Sequence, residues 1–403
     1  MATLISFLGK SQLDNRQGYR TARYRFSDGG ECQTAYFGLA LADHLQVDRI
    51  LLLGTPSSMW DLLVETTVGD DADEALRLDL MEAVRAGAVT EPLLEALRPA
   101  LERRLGRPVA ALLIPYAADF ADQQALLQRL ADRLARGERA VLDVTHGFRH
   151  LAMLGLSAAR YLAHARGVSV EAIYYGALDM TEGGITPVVE LSGLSHLQEW
   201  AEALSACEAS GDFGRMAPLL ARDGLADEHV QALSRGWQLL SAMNVADAAR
   251  VLRPVVRALA EPLHGASELY RAQLAKMLRW AQAEALHEQL RLLALQALQR
   301  QDVLRAAVLG LESFLVREVT AAGGDPLDYQ ARERAAAQFQ QALREGEHAD
   351  WKRSAYWLLN NVRNALAHAS RPTYRPHAQL MQNPERLRRE LEATLNRLTN
   401  TAA

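Results

Sequence analysis

Cysteine is scarce: Cys32 and Cys207 are the two in 403 residues, and they lie far apart. Two such residues build neither a disulfide framework nor a thiolate zinc site, and they suit a reducing compartment. No apolar run approaches the ~20 residues that span a bilayer. Residues 1–8 already have the character of a strand, so no cleavable leader is expected before the fold. The expectation is a cytoplasmic protein with no membrane partner. Basic residues are not in excess. Lys and Arg number 44 against 49 Asp and Glu, for a formal net charge of −5. That balance argues against a protein that coats nucleic acid generally. His44, His164, His229, His264, His287 and His348 are isolated and form no metal-spaced cluster, so neither metal nor cofactor is expected. Three signatures are also missing. The lack of G-x-G-x-x-G argues against a dinucleotide cofactor, and the lack of G-x-x-x-x-G-K-[ST] against a nucleotide-hydrolysing P-loop. Without G-x-S-x-G there is no α/β-hydrolase elbow.

What is present is an ordinary globular composition, 49% hydrophobic and 23% charged, in a length that suggests two domains. The first half alternates. Short apolar runs at Thr3–Leu8, Arg49–Leu53, Val109–Ile114, Ala140–Val144 and Val170–Tyr175 predict strands buried on both faces. Amphipathic stretches at Thr34–Leu45, Asp73–Arg85, Pro92–Leu105, Gln123–Leu134 and Arg149–Ala165 predict the helices between them. This is an α/β pattern, a parallel sheet with helices on both faces. Thr186–Leu191 would be a last strand. From about residue 195 the chain is rich in Ala, Leu, Arg, Gln and Glu, which favours helices throughout. Pro254, Pro262 and the Gly323–Pro326 segment are the expected breaks. The predicted division is 1–194 and 195–403.

In such sheets ligands bind beyond the C-terminal strand ends. Three loops fall there. Asp143-Val144-Thr145-His146-Gly147-Phe148-Arg149 follows a predicted strand and opens a predicted helix, where free backbone N–H groups and a helix dipole attract phosphate. Thr145 offers a hydroxyl, Gly147 a close backbone approach, and Arg149 or His146 positive charge. The same residues also fit an ordinary helix cap made by Asp143 or Thr145. Gly9-Lys10-Ser11 follows the first strand. Gly54-Thr55-Pro56-Ser57-Ser58-Met59-Trp60 follows the second, and Trp60 is placed to stack on a base. The candidate ligand contacts are therefore Gly9, Lys10, Ser11, Gly54, Thr55, Ser58, Met59, Trp60, Asp143, Thr145, His146, Gly147, Phe148 and Arg149.

A second motif lies near the C-terminus, Asn361-Val362-Arg363-Asn364-Ala365-Leu366-Ala367-His368, in a predicted helix ended by Ser370-Arg371-Pro372. A histidine moves protons near neutral pH, and an arginine holds phosphate and stabilises developing charge. The stretch 352–389 around it carries eight basic side chains and one acidic one, Glu385. A local basic patch on an acidic protein suits an enzyme that binds a polyanion at one place; a solvated helix face has the same composition. Glu312 and Arg317, on a probable preceding helix, read either as polar support for the site or as a surface pair.

The pattern Arg363-Asn364-x-x-x-His368 resembles the signature of HEPN ribonucleases. Asp143-x-Thr145-His146-Gly147-Phe148-Arg149, with Gly54-Thr55-x-x-Ser58-x-Trp60 and the Tyr19 to Tyr24 segment, resembles the CARF domain of CRISPR-associated ancillary proteins. Together the motifs, in this order, resemble the CARF–HEPN ancillary ribonucleases of type III CRISPR systems. The resemblance implies a Rossmann-like CARF domain over 1–194, an all-α connector and HEPN domain over 195–403, and a two-fold homodimer or higher even oligomer. It implies a cyclic oligoadenylate as activator, cyclic tetra-adenylate first and cyclic hexa-adenylate second. It further implies single-stranded RNA as substrate, and Arg363, Asn364 and His368 as the catalytic set, working without metal. Three alternatives remain: a non-catalytic sensor whose helical half serves dimerisation or partner binding; a nuclease whose CARF domain also degrades its ligand, with Lys10, Ser11 and Thr145 near enough to take part; and a toxin-like HEPN nuclease with a different ligand.

Overall fold

The computed structural model describes residues 2–10, 13–14, 18–19, 21–346 and 350–398. Among them no helix is long and apolar enough to cross a membrane. The chain divides into two compact units, Met1–His196 and Leu197–Ala403.

In chain order the first unit runs β1 (Ala2–Leu8), β2 (Leu13–Asp14), β3 (Gly18–Tyr19), β4 (Ala22–Arg25), β5 (Glu31–Thr34), α1 (Phe37–Leu45), β6 (Arg49–Gly54), α2 (Trp60–Thr67), α3 (Glu74–Ala86), α4 (Glu91–Leu105), β7 (Val109–Leu113), α5 (Phe120–Asp132), β8 (Arg139–Asp143), α6 (Arg149–Arg166), β9 (Ser169–Gly176) and β10 (Ile185–Glu190). Strands β9, β8, β1, β6 and β7 lie side by side and parallel. Alternate residues of β1 feed two cores. Leu4 and Leu8 join one that includes Phe37, Leu41 and Leu97 from α1 and α4. Ile5 and Phe7 join the other, with Leu126 and Leu130 of α5 and Leu151 and Leu162 of α6. A strand buried on both faces cannot alternate apolar with polar, which is why these segments read as continuous apolar runs.

The sheet is not wholly parallel. β10 runs antiparallel to β9, and β4 pairs with β10 and forms an unexpected hairpin with β5. α2, which opens at Trp60, is a further element beyond the predicted set.

The second unit continues with α7 (Ser192–Ser210, which spans the division), α8 (Ala217–Arg222), α9 (Asp227–Ser241), α10 (Val245–Ala258), α11 (Ser267–Leu278), α12 (Leu286–Gln299), α13 (Val303–Ala321), α14 (Tyr329–Glu345), α15 (Asp350–Ala367), α16 (Arg375–Leu380) and α17 (Pro384–Arg397). Pro254 does not break the chain, contrary to expectation; it sits inside α10. A mid-helix proline removes one hydrogen bond and crowds a carbonyl. Here Ala248, Ala249, Leu252, Val255 and Val256 are buried on both sides of it and hold the helix across the defect. Pro262 and Gly323–Pro326 do lie between helices.

α15 buries Ala355, Tyr356, Leu358, Leu359, Val362 and Ala365. Spacings of three and four put these on one face. Tyr356 meets Phe314 of α13 and Phe339 of α14 at ring separations of 5.7 and 5.1 Å.

Candidate functional site

From β1 the chain builds outward through β6 to β7, then returns to the other side of β1 for β8 and β9. The reversal opens a crevice beyond the C-terminal ends of β1 and β8, where open α/β sheets bind ligands. The Gly9 loop and the Thr145–Gly147 loop meet there. A Cβ on Gly9 would lie 2.9 Å from the Gly147 nitrogen, so the approach needs glycine. Gly147 itself has φ +104°, a conformation that side chains strain to adopt.

The third loop is tied to the first. Ser58 Oγ donates to the Leu8 carbonyl at 2.8 Å and accepts from the Thr55 N–H at 2.9 Å, while the Met59 N–H donates to the Gly9 carbonyl at 2.9 Å. Trp60 is 1% exposed, and its Nε1 donates to the Thr55 carbonyl at 3.0 Å. Its ring lies over Gly54, where a Cβ would fall 2.5 Å from Cζ2. This corrects the expectation of a stacking platform: Trp60 is a core residue that fixes the loop, with no open face for a base.

Asp143 and Thr145 likewise turn inward. Asp143 is fully buried. Its Oδ2 accepts from Ser6 Oγ at 2.6 Å and its Oδ1 from the Thr145 N–H at 2.9 Å. Tyr36 lies 2.7 Å from Ser6 Oγ. Because the Ser6 proton is given to Asp143, the Tyr36 hydroxyl donates in turn. Thr145 Oγ1 accepts from the Gly176 N–H at 2.7 Å, joining the loop to β9. Neither residue caps α6, whose N-cap is Phe148 with no side-chain bond. The N-terminus of α6 therefore keeps backbone donors without a side-chain cap.

His146 does not add positive charge. Its Nε2 accepts from the Phe37 N–H at 3.2 Å, at the start of α1. Burial pushes its pKa down against the opposing pull of Asp143, whose own carboxyl burial pushes up. Of the expected contacts, Lys10, Gly147, Phe148 and Arg149 are exposed, whereas Gly9, Gly54, Thr55, Ser58, Met59, Trp60 and Asp143 are buried. Ser11 lies outside the described residues. Lys10 and Met59 line a cavity of about 510 Å³ with Asp61, Arg85 and Tyr116. Tyr116, from the loop after β7, donates to Ser57 Oγ at 3.0 Å, and its carbonyl lies 2.8 Å from His150 Nε2. The Tyr116 loop escaped the sequence reading although β7 also ends at this edge.

In the helical unit, Arg363 and Asn364 lie in the last two turns of α15 and His368 just beyond it. The helix stops as Ala369 takes φ +48° and the Ser370 N–H donates to the Ala365 carbonyl at 2.8 Å. Arg363 Nη1 donates to Asn364 Oδ1 at 2.7 Å. The amide thus holds the arginine. The His368 N–H donates to the Asn364 carbonyl at 3.1 Å, and His368 is exposed. On the adjacent face Asn361 Nδ2 donates to His377 Nδ1 at 3.0 Å, and burial lowers the pKa of that imidazole.

Arg363 also lines a cavity of about 560 Å³ with Glu312. Glu312 pairs with Arg332 at 3.0 Å. Arg317 instead donates to the Leu398 carbonyl at 2.6 Å. Of the two residues noted on α13, Glu312 faces the site. The basic stretch is partly neutralised, since Lys352 pairs with Glu318 at 3.3 Å and Arg388 with Glu392 at 3.4 Å.

Comparisons with known proteins bear on the first unit and, for one relative, on part of the second. Residues 3–179 match the family described as the CARF domain of CRISPR system endoribonuclease Csx1. CRISPR-associated protein MJ1674 of Methanocaldococcus jannaschii is 25% identical over 279 residues, 64% of this chain and 44% of that protein. The chain thus spans less than half the length of this relative. The largely parallel sheet and its strand-end loops agree with the match of residues 3–179 to that CARF family.

Proposed function

We propose that this protein is a cyclic-oligoadenylate-activated, metal-independent endoribonuclease that cleaves single-stranded RNA in type III CRISPR antiviral defence. The observation that carries the reading is the bond from Arg363 to Asn364 Oδ1, 2.7 Å, one turn before the exposed His368. It presents a positioned guanidinium and a free imidazole at the end of one helix. The description of the matched family as an endoribonuclease supports it. Cyclic tetra-adenylate is the first choice of activator and cyclic hexa-adenylate the second. Backbone donors at Gly147 and the start of α6, with Lys10 and Arg149, would take its phosphates.

In the proposed reaction the substrate's own 2′-hydroxyl attacks the adjacent phosphorus and the 5′-oxygen leaves. His368 moves the proton, and Arg363 stabilises charge on the non-bridging oxygens. Asn364 orients Arg363. The nucleophile is internal to the RNA, so the scheme asks no metal to activate a water. Arg363 and His368 are five residues apart, about 140° around a helix, so a composite site in a homodimer or higher even oligomer would draw them from two copies. Mass spectrometry of the product ends tests the reading. It predicts 2′,3′-cyclic phosphate and 5′-hydroxyl ends, and loss of cleavage in His368→Ala with activator binding retained. Products with 5′-phosphate ends would refute it.

A further inference from the structure

The cavity beside Arg363 has more in it than phosphate chemistry uses. Aliphatic side chains of α12 and α13 form part of its lining. Across from them the start of α14 supplies Tyr329, which is 70% exposed, and Leu327 before it is 64% exposed. These two large apolar groups at the rim of a concave site offer a surface that an occupant could cover. The Tyr329 hydroxyl donates to Glu333 Oε1 at 3.0 Å, which fixes ring and carboxylate together, one turn apart on α14. Arg332 is unavailable to a ligand's phosphate. Its guanidinium is spent on Glu312 at 3.0 Å and on the Pro326 carbonyl at 2.7 Å. Arg363 is therefore the cavity's group for an anion, and Tyr329 with Glu333 make a stacking surface beside an acceptor.

We propose that this cavity is a nucleobase-selecting subsite for the RNA nucleotide next to the phosphate held by Arg363, and that it favours guanine. The proposal rests on the ribonuclease reading of Arg363 and His368. Unpaired bases are read by stacking on aromatic rings and by hydrogen bonds to their Watson–Crick edge. A carboxylate accepts and does not donate. Guanine alone presents two parallel donors on that edge, N1–H and N2–H, to match two carboxylate oxygens. Adenine and cytosine set an acceptor beside their amino donor, and uracil flanks its single donor with two carbonyls.

The test uses the full-length protein with cyclic tetra- and hexa-adenylate present. Cleavage positions are mapped on a single-stranded RNA that holds every dinucleotide. Binding of 2′-O-methyl oligonucleotides with and without guanine is measured in parallel by fluorescence anisotropy. The expected result is cleavage next to guanine and tighter binding of the guanine-containing oligonucleotide. Tyr329→Ala lowers cleavage at these positions by roughly tenfold, the scale of one lost base stack, and Tyr329→Phe restores it. Glu333→Gln relaxes the preference for guanine. Cleavage indifferent to the neighbouring base, or a preference unchanged in Glu333→Gln, overturns the subsite and leaves the nuclease reading standing. Guanine-selective binding without cleavage does the reverse.

Discussion

The Ser6 hydroxyl donates to the Asp143 carboxylate across 2.6 Å, joining β1 to β8 where the strand order reverses. Both residues are fully buried, and they are register partners in the sheet. The bond sets the level at which the two loops leave the sheet. Ser6→Ala removes a donor from a buried carboxyl, at a cost of about 1–3 kcal/mol. Chemical denaturation is expected to show that loss. An unchanged midpoint would mean that the bond contributes nothing to the fold.

His146 gives the first unit a pH dependence of defined sign. Its pKa is lowered in the fold from an ordinary 6.5, first by burial. Below that value the unfolded chain takes up a proton that the folded one refuses, so stability present above about 6.5 is lost as the pH falls. Asp143, raised by the same burial, titrates in the opposite sense. Comparison with His146→Gln isolates the imidazole. The variant should lose less stability than wild type between neutral pH and pH ~5. Parallel curves would count against the Phe37 N–H bond to Nε2.

Gly54 leaves the space that Trp60 fills. Gly54→Ala would set a methyl 2.5 Å from the indole and force the ring to move. Overpacking of this kind costs about 1–3 kcal/mol. The expected outcome is a lower melting temperature, a changed Trp fluorescence and weaker binding of the proposed cyclic ligand. Wild-type behaviour in all three would contradict the packing described for the loop.

These loops show what the sequence could and could not reveal. The strands around the crevice were legible because burial on both faces leaves unbroken apolar runs. The β4–β5 hairpin was not, since its strands are four residues each, too short for a clear pattern, and only Tyr24 in them is fully buried. Asp143 stood out as part of a motif, yet its partner Ser6 lies 137 residues earlier, and no local pattern links them. Trp60 was misread because its place after a loop suggested exposure, while the hollow under it depends on the fold around Gly54. Arg363, Asn364 and His368 were visible as a spacing. The wall supplied by Tyr329 and Glu333 was not, because it comes from another helix.

Asn364 acts through Arg363 in this account. Asn364→Ala frees the guanidinium and should lower kcat by roughly a hundredfold, the scale of a small misplacement of a reacting group. Asn364→Asp keeps an acceptor for Arg363 and should retain more activity than the alanine variant. Activator affinity should be the same in both. Equal loss in the two variants would remove the positioning role.

The central claim is ring-gated RNA cleavage by Arg363 and His368. The most direct measurement is cleavage of a fluorescent single-stranded RNA by the purified protein in EDTA. It is made without activator and with cyclic tri-, tetra- and hexa-adenylate in turn. The account predicts activity that appears with one ring, cyclic tetra-adenylate first, and vanishes in His368→Ala. Silence with every ring, or cleavage that persists in His368→Ala, would contradict it.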